Sequence, residues 1–132
     1  MTLELTFLGW SIVLGIVQAL LTGFARGKAH GMKWAAGPRD EEPADTLWPI
    51  ADRLLRAQRN FMETFPFFAI AVLMADLLKS DGFLTSTGCQ LYFWARVLYV
   101  PLYAFGIPWL RSLVWGVSLV GILMVLAATL PI

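Results

Sequence analysis

Residues 5–25 form a run of about 20 mainly apolar residues, long enough for an α-helix to cross a hydrocarbon core of about 30 Å. In such a core a lone segment must satisfy its own backbone, so the run is read as a helix. Three more stretches repeat the pattern, at 48–79, 83–105 and 109–130. The chain is 58% hydrophobic and only 14% charged, with a mean hydropathy of +0.69. Those figures exclude an ordinary soluble domain, whose apolar share is nearer half. The expected fold is all-α: an integral membrane four-helix bundle, one domain over residues 1–132.

Punctuation between the spans fits. Residues 26–46 form a polar loop containing Gly27, Gly31, Gly37, Pro38 and Pro43. Asp45 or Thr46 is placed to cap the second helix, with Pro49 in its first turn. Ser80-Asp81-Gly82 and Gly106-Ile107-Pro108 are short turns, and Pro66 and Pro101 fall inside helices as expected kinks. Gly9, Gly15 and Gly23 leave room for close packing of the first helix. Seven of the ten Lys and Arg residues lie between Arg26 and Arg59. By the positive-inside rule the 26–46 loop is cytoplasmic, with Arg111 on the same side and both termini outside, as in a bacterial inner membrane. Trp48 and Trp109 mark the cytoplasmic interface. No cleavable signal peptide is evident, because Glu4 stands where a basic n-region would be. Asp40, Glu41, Glu42, Asp45 and Asp52 offset the basic cluster, and the net charge of +1 argues against nucleic acid. One cysteine, Cys89, excludes an intrachain disulfide, and one histidine, His30, makes no metal set.

Polar residues at the entrance of the second span carry the functional signal. Arg53, Arg56, Asn60 and Glu63 share one helical face, and Arg56, Arg59 and Glu63 an overlapping one. Such groups are costly near hydrocarbon and mark functional sites by default. Arg96, Tyr99 and Tyr103 lie at a similar depth on one face of the third helix; Arg26 ends the first and Arg111 begins the fourth. In that layer Glu63 is the one nearby acid against an excess of arginines, so an anion is needed. Arginine forks suit carboxylates, and Glu63 can take an amine. Asp76, near the other end of its helix, is read as solvated.

Arg56-Ala57-Gln58-Arg59-Asn60, then Glu63 and Phe65-Pro66, resembles the second-helix signature of the MAPEG family, the membrane-associated proteins of eicosanoid and glutathione metabolism. Ala95-Arg96, Tyr99 and Tyr103 resemble its third helix, and the likeness covers nearly the whole chain. The resemblance implies a microsomal glutathione transferase-like homotrimer, with glutathione as co-substrate, no metal, and a lipophilic electrophile or peroxide as second substrate. It implies that Arg26, Arg56, Arg59, Asn60, Glu63, Arg96, Tyr99 and Tyr103 bind glutathione, and that Arg111 stabilises its thiolate. Detoxification is the implied role. Two rival readings are a small four-span transporter and a catalytically silent scaffold. Against the transporter, the first span holds no central acid, and arginines around Glu63 suit anions rather than a proton-exchanged cation.

Overall fold

The computed structural model describes residues 1–31, 37–38 and 49–131. It contains four helices: α1 (Leu3–His30), α2 (Pro49–Leu77), α3 (Phe83–Ala104) and α4 (Pro108–Thr129). Three of them, α1, α2 and α4, are long and apolar enough to cross a membrane. At 22 residues α3 has the length, but Thr85, Ser86, Thr87, Gln90 and Arg96 dilute its hydropathy. The expected cap at Asp45 or Thr46, the interfacial Trp48, and the loop charges Lys33 and Arg39 to Asp45 lie outside the described residues.

α1 is turned inside out relative to a helix in water. Glu4, Ser11, Gln18, Thr22 and Arg26 face inward at helical spacing, while Trp10, Ile16, Val17, Leu20 and Phe24 point outward. A hydrocarbon solvent rewards that arrangement, because outward apolar groups cost nothing and inward polar ones find partners. Thr22 Oγ1 donates to the Leu54 carbonyl at 3.4 Å, and Thr85 Oγ1 donates to Glu4 Oε1 at 2.7 Å. The first helix runs five residues beyond its expected end at Ala25 and includes Arg26. The break in composition marks where the helix leaves the apolar layer, not where it stops. Termination comes at Gly31, whose φ of 96° favours glycine, with its N–H bonded to Gly27 O at 2.8 Å. α2 and α3 end two residues and one residue earlier than expected, and α4 is shifted one residue toward the N-terminus. Pro49 and Pro108 begin their helices, and Pro66 and Pro101 lie within theirs.

The main core joins Leu8 of α1, Phe61, Phe68 and Val72 of α2, Cys89 and Tyr92 of α3, and Ile122 and Val125 of α4. The Phe68 and Tyr92 rings stack with centroids 4.0 Å apart, and the Tyr92 hydroxyl meets Thr64 Oγ1 at 3.0 Å. That hydrogen bond satisfies a phenol that is otherwise fully buried. The tightest helix crossing is between α3 and α4. A Cβ at Gly88 would lie 2.6 Å from the Gly121 carbonyl oxygen, and one at Gly121 would lie 2.6 Å from that of Gly88. Of the α1 glycines, Gly15 packs closely as expected and Gly9 and Gly23 do not. A Cβ at Gly15 would lie 3.0 Å from the Phe61 ring, but one at Gly9 or Gly23 would meet no described atom of another element within 4 Å. The closest helix packing therefore falls on α3 and α4, whose backbones touch.

Candidate functional site

The α3–α4 turn sets the cytoplasm-expected end of the bundle. Gly106 adopts φ 71°, a left-handed conformation, and Arg53 Nη1 of α2 donates to the Ala104 carbonyl at 3.3 Å. This bond caps α3 with a side chain from α2 and fixes where Tyr103 and Arg111 stand relative to α2. Beside the turn, α2, α3 and α4 enclose a cleft of about 440 Å³. Arg56, Arg59, Asn60 and Glu63 line it from α2, Tyr99 and Tyr103 from α3, and Arg111, Ser112 and Trp115 from α4. Arg59 thus lies on the same wall as the Arg56–Asn60–Glu63 stripe.

Cations dominate this wall. Three guanidiniums face one carboxylate, and among the described residues no ion pair joins Glu63 to Arg56 or Arg59. Two of the cations lie against the Tyr103 ring, with Arg111 Cζ 4.5 Å and Arg56 Cζ 5.9 Å from its centroid. An aromatic face stabilises a cation without neutralising it. The charges therefore stay available to an anion in the cleft. Tyr99 and Tyr103 sit against each other with centroids 5.5 Å apart.

Two expected binding residues do not line the cleft. Arg96 is buried behind the wall, 1% exposed, where its Nη1 donates to Asn60 Oδ1 at 2.9 Å. Its Cζ lies 4.2 Å from the Tyr99 centroid and 5.7 Å from that of Phe61. It therefore bonds an amide and stacks on rings, instead of pairing with Glu63 or Asp76. Arg26 is buried on α1, which packs on α2 and α3 and not on α4. The cleft lies between α2, α3 and α4, so α1 does not bring Arg26 to its wall.

Trp115 was not foreseen. It lines both the polar cleft and a second cavity of about 500 Å³, an apolar groove between α2 and α4. Phe67, Ile70 and Met74 line the groove from α2, Leu119, Leu123 and Leu126 from α4, and Glu63 is common to both cavities. Trp115 is one helical turn beyond Arg111, and counting i+4 from that arginine would have found it. The site thus offers a cation-rich cleft joined through Glu63 and Trp115 to an apolar trough along the bundle.

The profile of the MAPEG family matches residues 5–130, and the chain belongs to this family. It is an integral membrane protein of a family that holds glutathione transferases and related enzymes alongside non-catalytic members. A search of curated proteins found no match to the chain.

Proposed function

We propose that the protein is a membrane-embedded glutathione transferase or glutathione-dependent peroxidase. The observation that carries this reading is the junction of the cation-rich cleft with the apolar groove at Glu63 and Trp115. Glutathione brings two carboxylates, one ammonium and a thiol. Arg56 and Arg59 suit the carboxylates, Glu63 suits the ammonium, and Asn60 and the tyrosines supply hydrogen bonds. A lipophilic electrophile or peroxide dissolved in the bilayer reaches the groove without crossing water.

Arg111 is the residue proposed to face sulfur. A free thiol has a pKa of about 8.5 and is mostly protonated at neutral pH. A guanidinium near the sulfur favours the thiolate, and a shift of two pKa units corresponds to about 2.7 kcal/mol. The thiolate then attacks the electrophilic carbon or peroxide oxygen, and the leaving group takes the electron pair of the bond that breaks. Tyr103, against which Arg111 stacks, holds the guanidinium in place.

A homotrimer in a bacterial inner membrane completes the proposal, with the 26–46 loop cytoplasmic. Exposure of Arg56, Arg59 and Glu63 on one protomer supports assembly, because leaving such groups against lipid costs several kcal/mol. Labelling of Ala36→Cys from outside intact cells by an impermeant reagent would overturn the orientation, and a stable, active monomer in native mass spectrometry the assembly. The functional test is calorimetric titration of glutathione into the detergent-solubilised protein, together with turnover of a chlorodinitrobenzene and an organic hydroperoxide. Saturable binding and turnover with either substrate, both reduced in Glu63→Ala, are expected. A folded protein that neither binds glutathione nor turns over would contradict the reading and favour the silent scaffold.

A further inference from the structure

Arg96 touches the backs of two cleft residues and does not line the cleft itself. Its Nη1 donates to Asn60 Oδ1 at 2.9 Å, and its guanidinium lies 4.2 Å from the Tyr99 ring centroid. Chemistry forces the direction of the first contact. Arginine carries only donors, and the asparagine amide has one acceptor oxygen and one donor nitrogen. An Asn60 flipped end for end would set donor against donor beside a buried cation. The oxygen therefore faces Arg96, and Nδ2 is left on the other side. Asn60 is also part of the cleft wall.

We propose that Arg96 is a positioning residue, which holds Asn60 so that its Nδ2 presents two N–H donors to the cleft. This stretch of wall then selects a hydrogen-bond acceptor, a carboxylate or peptide carbonyl oxygen, and rejects an ammonium. The ligand's amine is thereby directed away from Asn60 and toward Glu63, one turn along the same helix. The inference rests on the glutathione reading for the identity of the ligand, but not for the orientation of the amide. Arginine suits the role because its flat guanidinium can donate to the amide while packed on Tyr99. Its Nε and Nη2 are buried with no hydrogen-bond partner among the described residues. One bond to Asn60 and two aromatic faces thus hold this side chain.

Asn60 is the only asparagine in the chain. Asparagine-selective ¹⁵N labelling therefore yields a single side-chain amide pair in the spectrum of the detergent-solubilised protein. Without ligand, Arg96→Met is expected to move that pair toward the position of a free amide. Arg96→Gln keeps a donor for Oδ1 and is expected to leave the pair near its parental position. An amide pair that is the same in the parent and Arg96→Met overturns the proposal, whether or not glutathione binds. The second arm is a double-mutant cycle in glutathione affinity. Asn60→Ala and Arg96→Met should each weaken binding roughly tenfold, and the double variant should be within about threefold of either alone. Arg96→Gln should bind within about threefold of the parent, and Asn60→Asp, with an acceptor in place of the donor, more weakly than Asn60→Ala. Multiplicative losses in the double variant would mean that Arg96 meets the ligand directly and would overturn the proposal. A parent that shows no glutathione binding would instead sink the proposed function, and the ligand-free amide comparison would still decide the role of Arg96.

Discussion

The two ends of the bundle are built from the same α2, α3 and α4 helices and solve opposite problems. At one end α3 and α4 touch backbone to backbone through Gly88 and Gly121, Tyr92 stacks on Phe68, and Thr85 ties Glu4 to the start of α3. At the other end the same helices carry Tyr99, Tyr103, Arg111 and Trp115, and a cleft of about 440 Å³ remains. Where glycine faces glycine, α3 and α4 leave no gap between them, and the apolar groove lies instead between α2 and α4. Where long charged and aromatic side chains stand, the gap persists and their charges face it. In a bilayer, helix association rests on close packing and polar contacts more than on burial of apolar surface. The tight crossing joins α3 to α4 at one end, while the polar cleft lies between the same helices and α2 at the other.

The sharpest way to break this contrast is to overfill the closed end. In Gly121→Val the new Cβ would meet Gly88 O at 2.6 Å and Tyr92 N at 2.8 Å, both backbone atoms with no rotamer to escape to. The expected loss of stability is about 3 kcal/mol, the upper end for overpacking. Thermal unfolding in detergent measures it, and a variant as stable as the parent would show that the crossing is not what holds the bundle. Arg56→Ala and Glu63→Ala test the open end. Each should weaken glutathione binding by about 2 kcal/mol, where a charge-assisted hydrogen bond is lost, with little change in unfolding temperature. Calorimetry beside the melting curve separates the two effects. If either variant melts as early as Gly121→Val, the open end is itself structural and the contrast fails.

Gly106→Ala probes a glycine of a different kind. Its φ is 71°, and an added Cβ would meet the Arg53 guanidinium at 3.2 Å, the far end of a flexible side chain. The expected cost is about 1 kcal/mol, set by the left-handed backbone and not by the contact. Unfolding curves for Gly106→Ala with and without Arg53→Ala distinguish these causes. A cost that vanishes when Arg53 is removed would assign it to crowding. Smallest of all should be Arg59→Ala, weakening glutathione binding by less than about 1 kcal/mol in the same calorimetry, since among the described residues no aromatic ring holds its guanidinium as Tyr103 holds that of Arg56. A loss equal to that of Arg56→Ala would place Arg59 among the principal ligand contacts.

The open end was much easier to read from sequence than the closed one. Arg56, Asn60 and Glu63 stand out because ionisable and amide groups at helical spacing are rare beside an apolar span. Glycine carries no such contrast. Gly9, Gly15 and Gly23 were read as close-packing positions, whereas Gly88 and Gly121 drew no notice until α3 was seen paired with α4. Rotation about a helix axis was hidden for the same reason. Arg96, Tyr99 and Tyr103 share a stripe in sequence, yet Tyr99 and Tyr103 line the cleft and Arg96 lies behind it. Spacing defines a face but does not say which neighbour it meets. The end of α1 was misplaced because a change in polarity signals an exit from the apolar layer, whereas a helix ends on its own backbone, here at Gly31.

The proposed chemistry requires that the open end hold glutathione as a thiolate beside Arg111. A thiolate ultraviolet difference spectrum, recorded as glutathione is titrated into the parent and into Arg111→Ala across pH, tests this directly. The parent should show a saturable thiolate band at neutral pH. Arg111→Ala should still bind glutathione, yet develop the band only at alkaline pH, where hydroxide ionises the thiol unaided, and its conjugation rate should recover over the same range. Arg111→Lys should fall between them, a point charge having replaced a planar fork. A parent that binds glutathione without a thiolate band, or an Arg111→Ala variant with an unchanged thiol pKa, would contradict the account and move the catalytic charge elsewhere.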